Sequence, residues 1–426
     1  MYVKRVVLEN IKGFRDLDFR FDRPGERYEG WTVITGDNAS GKTALLKAIA
    51  LAIVGPDVAR ALQPSLRGWI RRGAAKASIA VEIVPHEQDR FTKGGRRYEK
   101  SFWSELDLAQ DGGPEVTLSP GSKRRRDKKG PLNGPWSENT LGWFAAGYGP
   151  FRRLYGASPD AQRLMSGPSR VARFATMFKE DATLGECEIW LKDLNHKKLE
   201  KKPKETRILE QVIDLLNRDF LRNGIRIEKV DSEGLWLVDS KGTTLSLADM
   251  SEGYRASLAM LVDIARHVVS VYGEEELISG PEGHMAVQHP GVVLIDEIDS
   301  HLHPEWQREI GFWLKRHFPR VQFIVTTHSS FICQAADPRG LFHLPAPGRD
   351  EDPFQLSDED YNEVIRGKPD AILRGPAFEM RHTRSPAAVD ALKKLAALHA
   401  KKKAVGRLTE SEAREEGQLS LFVDPA

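Results

Sequence analysis

Cysteine is scarce in this sequence: Cys187 and Cys333 are the only two among 426 residues. They lie far apart and in no metal-ligand spacing, which suits a reducing cytoplasm, and both are read as buried and inert. No run of about 18 apolar residues occurs, so no membrane-spanning helix is expected. Met1 to Phe21 alternates apolar and charged residues instead of placing an apolar block behind a basic end, so no export signal is expected and the chain reads as cytoplasmic. Excess charge is also missing. The 63 basic and 61 acidic residues leave a formal charge of +2, so no overall field argues for nucleic acid, and any DNA contact must be local. Internal repeats and sustained heptads are absent too, which excludes long coiled-coil arms.

The hydrophobic fraction of 40% is enough for a substantial core. Val3 to Leu8 and Leu17 to Phe21 read as strands around the turn Lys12-Gly13-Phe14, and Trp31 to Thr35 as a third strand. Thr43 to Val54 reads as a buried helix. Asp111 to Gly134 combines proline and glycine with Lys123, Arg124, Arg125, Arg126, Lys128 and Lys129, and is expected to be a mobile loop. Its cations fit either a solvated insertion or a DNA-backbone contact. Further on, Ile208, Val212, Leu215, Leu216 and Phe220 form a helical stripe, followed by strands at Ile225 to Val230 and Leu235 to Val238.

The strongest motif is Gly36-Asp37-Asn38-Ala39-Ser40-Gly41-Lys42-Thr43, set between a predicted strand and a predicted helix. Phosphate binding needs inward backbone N–H groups, which Gly36, Asn38 and Gly41 would help supply, together with a helix N-terminus. Lys42 would reach the β/γ oxygens of ATP, and the Thr43 hydroxyl would ligate Mg²⁺. Far downstream, Val292 to Ile295 reads as a fully buried parallel strand ending in Asp296-Glu297. Alternation along a strand would give the two carboxylates different targets. Asp296 would hold Mg²⁺ and Glu297 would orient the attacking water.

Leu247-Ala248-Asp249-Met250-Ser251-Glu252-Gly253-Tyr254-Arg255 precedes a long apolar helix, Ala256 to Val269. By itself S-x-G also fits a local helix cap. Lying between the phosphate loop and Asp296-Glu297, it resembles the signature of ABC-type ATPases, in the version found in SMC, RecF and related AAA-family proteins. The opening Val6 to Phe14 is similar to the first strand and turn of the same heads. The resemblance implies an α/β ABC-type head with a mixed sheet and a helical signature lobe. It also implies that Ser251 and Gly253 bind the γ-phosphate held by another subunit's phosphate loop, so that ATP joins a homodimer or higher oligomer. Asp299 to Pro304 stands where the D-loop would, and His328 where the switch histidine would contact the γ-phosphate. His301 and His303 would otherwise suggest a metal, but no nearby set closes a tetrahedral site. No Q-loop glutamine is found; Ala146 to Arg153 stands at that place, and Arg152 is its candidate substitute.

Residues 1–345 are therefore read as the head, with 56–245 holding the basic loop and the helical lobe, and 346–426 as a C-terminal helical extension. In the extension, Ser385-Pro386 starts a helix with the stripe Val389, Leu392 and Leu395, and Thr409 to Glu412 is a capping box. The stripe would dock on its own domain or bind a partner. The segments Asp370 to Phe378 and Thr383 to Pro386 are similar to tails of ATPases from bacterial anti-phage systems, notably the Septu-type PtuA group. That likeness implies a separate HNH-type nuclease subunit, with the chain controlling it. A RecF-like DNA repair ATPase is the alternative. A self-contained nuclease of the overcoming-lysogenization-defect type would need a Toprim domain, for which fewer than about 100 residues follow His328 and no acidic triad is seen. A transporter ATPase is disfavoured by the opening strand and the charged tail.

Overall fold

Apolar and β-branched runs become strands wherever both faces can be covered. The computed structural model describes residues 1–91, 100–110, 112–113, 115–124, 129–138, 140–273, 277–280, 285–349 and 351–422. Its strands are β1 Tyr2–Ile11, β2 Phe14–Arg20, β3 Gly30–Gly36, β4 Lys76–Val84, β5 Phe102–Ala109, β6 Thr117–Pro120, β7 Ala145–Tyr148, β8 Arg226–Val230, β9 Leu235–Val238, β10 Thr244–Ser246, β11 Gly291–Ile295, β12 Val321–Thr326, β13 Leu341–Leu344 and β14 Phe354–Gln355. The central sheet runs β14-β13-β3-β12-β11-β7. Its ladders are parallel except for the antiparallel edge strand β14. A separate antiparallel sheet runs β2-β1-β4-β5-β6, and a third runs β10-β9-β8.

Alternation along the central strands divides the core. Val292, Leu294 and Ile324 face the helix Lys42–Val54 and the antiparallel sheet, within one apolar cluster. Val293, Ile295, Phe323 and Val325 face the opposite way, packing with the helices Glu252–Tyr272 and Pro304–His317 in a second cluster. Register aligns the strand ends. Ile295 pairs with both Tyr148 and Val325, and Thr326 with Ile34. The loops after β3, β7, β11 and β12 therefore emerge along one edge, where open α/β sheets bind ligands.

The α/β architecture with a mixed sheet and a helical lobe matches the expectation. Both cysteines are buried, and burial pushes the thiol of each up. The stretch Asp111 to Gly134 departs from it: β6 and a short helix, Lys129–Asn133, replace much of the expected mobile loop. Leu118, buried and paired with Leu108, supplies the reason, since one apolar residue opposite β5 anchors an edge strand. Lys123 and Arg124 are both paired with Glu9, and Arg124 also reaches the buried Glu105 at 3.3 Å. Arg125, Arg126 and Lys128 lie outside the described residues, as does the side chain of Lys129.

Beyond residue 345, β14 extends the central sheet, and Val364, Ile372 and Ala377 join the core of the head. The helices Pro386–Val405 and Glu410–Phe422 pair with each other, burying Leu395 and Leu398. Ser385 caps the first. At the second, Thr409 and Glu412 exchange the two bonds of a capping box, at 3.0 and 3.3 Å.

One polar bond ties the sheet to the long helix. The Tyr148 hydroxyl, at the end of β7, donates to Asp263 Oδ2 at 3.0 Å in the core. Burial pushes the Asp263 carboxyl up, but His267 and Arg266 beside it more than offset this and hold it well below the usual range. Removing one partner of a buried charged acceptor costs about 1–3 kcal/mol. Tyr148→Phe should therefore lower the melting temperature; an unchanged melting curve would show that the bond does not stabilise the fold.

Candidate nucleotide site

The loop Gly36 to Thr43 turns sharply because Gly36, Ala39 and Gly41 hold φ of 142°, 65° and 101°. A Cβ on Gly36 would lie 2.3 Å from the Leu344 carbonyl, and one on Gly41 2.6 Å from the Phe14 ring, so the backbone has no room for larger residues. Lys42 begins the buried helix, and its ammonium lies inside the loop, donating to the carbonyls of Gly36 and Asp37 at 2.8 and 2.9 Å. Burial lowers its pKa, and Asp296 and Glu297 act against that. The Ser40 hydroxyl is buried and has no hydrogen-bond partner among the described residues. Asn38 is exposed.

Asp296 is 1% exposed, yet both of its oxygens are satisfied. Thr43 Oγ1 donates to Oδ2 at 2.7 Å and Thr326 Oγ1 donates to Oδ1 at 2.6 Å. The first bond brings the phosphate loop and the acidic strand end together across 253 residues of sequence. The strand itself ends at Ile295, and Glu297 takes a left-handed φ of 45°. A turn, and not the expected strand alternation, therefore separates the two carboxylates. The Glu297 amide donates to Thr326 Oγ1 at 2.8 Å, and the Ser300 hydroxyl donates to the Glu297 carboxylate at 3.2 Å.

His328 is exposed just past β12. Its amide donates to Asp299 Oδ1 at 3.3 Å, and Thr327 Oγ1 donates to the same oxygen at 2.5 Å. Gln307 donates to the Leu302 carbonyl at 2.9 Å and accepts from Ser329 at 2.6 Å, so one amide spans the turn and the histidine segment. His303 accepts from the Glu305 amide at 3.4 Å and so serves as a helix cap. Arg152, the candidate for the Q-loop position, is buried beneath the turn and bonds to backbone carbonyls.

Ser251 occupies the N-cap position of Glu252–Tyr272, exposed, and its side chain makes no cap bond. Gly253 abuts the D-loop candidate: a Cβ there would lie 2.1 Å from the His301 carbonyl. Among the described residues no hydrogen bond joins Ser251 or Gly253 to the loop Gly36 to Thr43 of the same chain. The structure thus gathers Lys42, Thr43, Asp296, Glu297 and His328 along one sheet edge, and sets the candidate signature residues beside the turn after Asp296, with no hydrogen bond to the loop Gly36 to Thr43 among the described residues. Asp299 was read from the sequence only as the start of the D-loop candidate, and Thr326 and Gln307 were given no role; the pair Thr326-Thr327, polar at the end of an apolar strand, was the available signal.

The donor set fits a nucleotide with a divalent cation. A hydroxyl and a carboxylate 2.7 Å apart, Thr43 and Asp296, are hard oxygen ligands of the kind Mg²⁺ takes. A cleft of about 350 Å³ opens beside the loop, lined by Phe14, Arg15, Ser40 and Arg71 among others.

The family model described as "AAA domain" matches residues 5–130, and that described as "AAA domain, putative AbiEii toxin, Type IV TA system" matches residues 168–334. Both matched segments are similar to AAA domains, and each covers less than half of the chain. Also similar is the Septu protein PtuA of Bacillus mycoides (strain KBAB4), 24% identical over 331 residues, covering 77% of this chain and 38% of that protein. The Retron Ec83 probable ATPase of Escherichia coli is 38% identical over 108 residues, covering 25% of this chain and 18% of that protein. The match therefore spans well under half the length of either relative. Among solved structures, an Smc head bound to the C-winged helix domain of ScpA has a TM-score of 0.48 at 17% identity, covering 85% of this chain and 100% of that one. No helix among the described residues is long and apolar enough to cross a membrane.

Lys42→Ala removes the one ammonium inside the phosphate loop. ATP binding, read by equilibrium titration with a fluorescent ATP analogue, should weaken by at least about a hundredfold, since a buried charge-assisted hydrogen bond to phosphate contributes several kcal/mol. Unchanged affinity would remove Lys42 from the site.

Proposed function

We propose that two copies of the chain close head to head around ATP, hydrolyse it to ADP and phosphate, and through that cycle control a separate effector, a nuclease in anti-phage defence. The observation carrying the first part is the division of the site: phosphate-loop, acidic and histidine residues share one edge, while Ser251 at the start of the helix Glu252–Tyr272 is exposed, makes no cap bond and, among the described residues, has no hydrogen bond to the phosphate loop of its own chain. A second copy would bring that helix end to the γ-phosphate.

In this reading the loop amides and Lys42 bind the β- and γ-phosphates, and the nucleoside part lies toward the cleft beside Phe14 and Arg71. Thr43 and Asp296 would hold Mg²⁺, which neutralises charge on the phosphate oxygens. Glu297 accepts a proton from a water as that water's oxygen bonds to the γ-phosphorus, and the bond to the bridging β–γ oxygen breaks, releasing ADP. His328 and the partner's signature residues stabilise the charge on the transferred group. Loss of the γ-phosphate removes what joins the two copies, so hydrolysis parts them.

The defence role is supported by the likeness to the Septu and retron proteins. The partner expected is an HNH-type nuclease, and a RecF-like repair role is the alternative. Glu297→Gln keeps the size of the side chain but removes its basicity, so with ATP it should run as a stable dimer in light scattering. Tagged Glu297→Gln protein, captured from its native host with ATP present, should bring down a nuclease in stoichiometric amount. A variant that stays monomeric with ATP bound would reject closure around nucleotide, and recovery of replication and repair proteins in place of a nuclease would favour the repair role.

A further inference from the structure

Arg152 holds a place that neither nucleotide binding nor dimerisation explains. It is 4% exposed and follows β7 by four residues. Its Nη1 donates to the carbonyls of Gly149 and Asp296, both at 2.9 Å. Its Nη2 donates to those of Glu297 at 3.1 Å and of Ile298 and Ser300 at 3.4 Å. One planar guanidinium thus gathers four carbonyls of the turn that carries Asp296 and Glu297, plus one from its own segment. A turn with a left-handed residue at Glu297 and another at His301 (φ 66°) has few regular partners of its own for these carbonyls. Asp299, Asp296 and Glu297 surround the buried charge and offset part of its desolvation.

The same segment is tied to the signature helix. Tyr148, four residues before Arg152, bonds Asp263 on Glu252–Tyr272, and Gly253 of that helix packs on the His301 carbonyl at the far end of the turn. The turn is thus held on one side by Arg152 and on the other by the first turn of the helix that starts at Ser251.

We propose that Arg152 is a positioning residue for hydrolysis: it fixes the turn Asp296 to Ser300 from below, so that the Glu297 carboxylate is held where the attacking water must lie. This rests on the ATPase reading of the site. Its role is in the chemical step and not in ATP affinity, because its N–H groups point to the turn and not to the phosphate loop. Lysine cannot replace it, since an ammonium has three donors around one atom and cannot span carbonyls that the planar fork reaches with two nitrogens.

The test is Arg152→Lys beside Arg152→Ala in the full chain. Hydrogen–deuterium exchange without nucleotide should show faster exchange of the amides of Ile298, Ser300 and Leu302, which now bond within the turn or to β12. With ATP, kcat should fall about ten- to a hundredfold while KM and the affinity for a fluorescent ATP analogue stay within about twofold, as expected for a catalytic group misplaced by a fraction of an ångström. Wild-type kcat in Arg152→Lys, or a rise in KM with kcat unchanged, overturns the proposal. If Arg152→Ala does not fold, Arg152→Lys decides, with turnover counted per nucleotide bound: wild-type turnover per bound nucleotide overturns it. A wild-type chain that neither binds nor hydrolyses ATP would instead fail the ATPase reading, and the exchange experiment would still report whether Arg152 holds the turn.

Discussion

Everything in the site depends on how a buried carboxylate is satisfied. Asp296 lies almost wholly out of water, and an unpaired charge there would cost several kcal/mol. Thr43 and Thr326 each give it a hydroxyl. Those two bonds fix the relative positions of the helix after the phosphate loop, the end of β11 and the end of β12. Thr326 also receives the Glu297 amide, so the same small network sets where the second carboxylate begins its turn.

Outward from this centre, each contact carries position to another element. Asp299 reaches the backbone of the His328 segment, Gln307 clamps that segment to the turn, and the His301 carbonyl meets Gly253. Any small movement of the turn is therefore shared by the histidine on one side and the signature helix on the other. Packed elements of this kind move as units and do not deform continuously. In the proposed cycle, a γ-phosphate seen by His328 and a signature presented by Ser251 would respond to the same element.

Much of this was legible in the sequence where one residue type answers one physical need. The phosphate loop announces itself because only glycine fits beside Leu344 and Phe14, and the short apolar run Val292 to Ile295 before Asp296 has the length and β-branched content of a strand covered on both faces. The ends of elements were legible too: Ser385-Pro386 and the Thr409–Glu412 box start helices as local chemistry dictates. The rest depends on long-range pairing that no local pattern records. Nothing near Arg152 says that its guanidinium would meet carbonyls 144 to 148 residues away. Asp296 and Glu297 do take different partners, but through a left-handed turn at Glu297 after the strand ends at Ile295, which the alternation of a strand does not foretell. In the basic stretch, Lys123 and Arg124 are drawn to Glu9 and Glu105 by a sheet whose edge the sequence barely hints at.

In the proposed cycle no copy of the chain completes its own nucleotide site. Mixing two inactive variants tests this directly: Lys42→Ala keeps a working signature, and Ser251→Arg keeps a working phosphate loop. If the site is shared, a mixed dimer contains one intact site, and an equimolar mixture should recover about a quarter of wild-type ATP turnover, as random pairing in a two-fold dimer requires. Turnover of the mixture no higher than that of the separate variants would show that the site is not shared between copies.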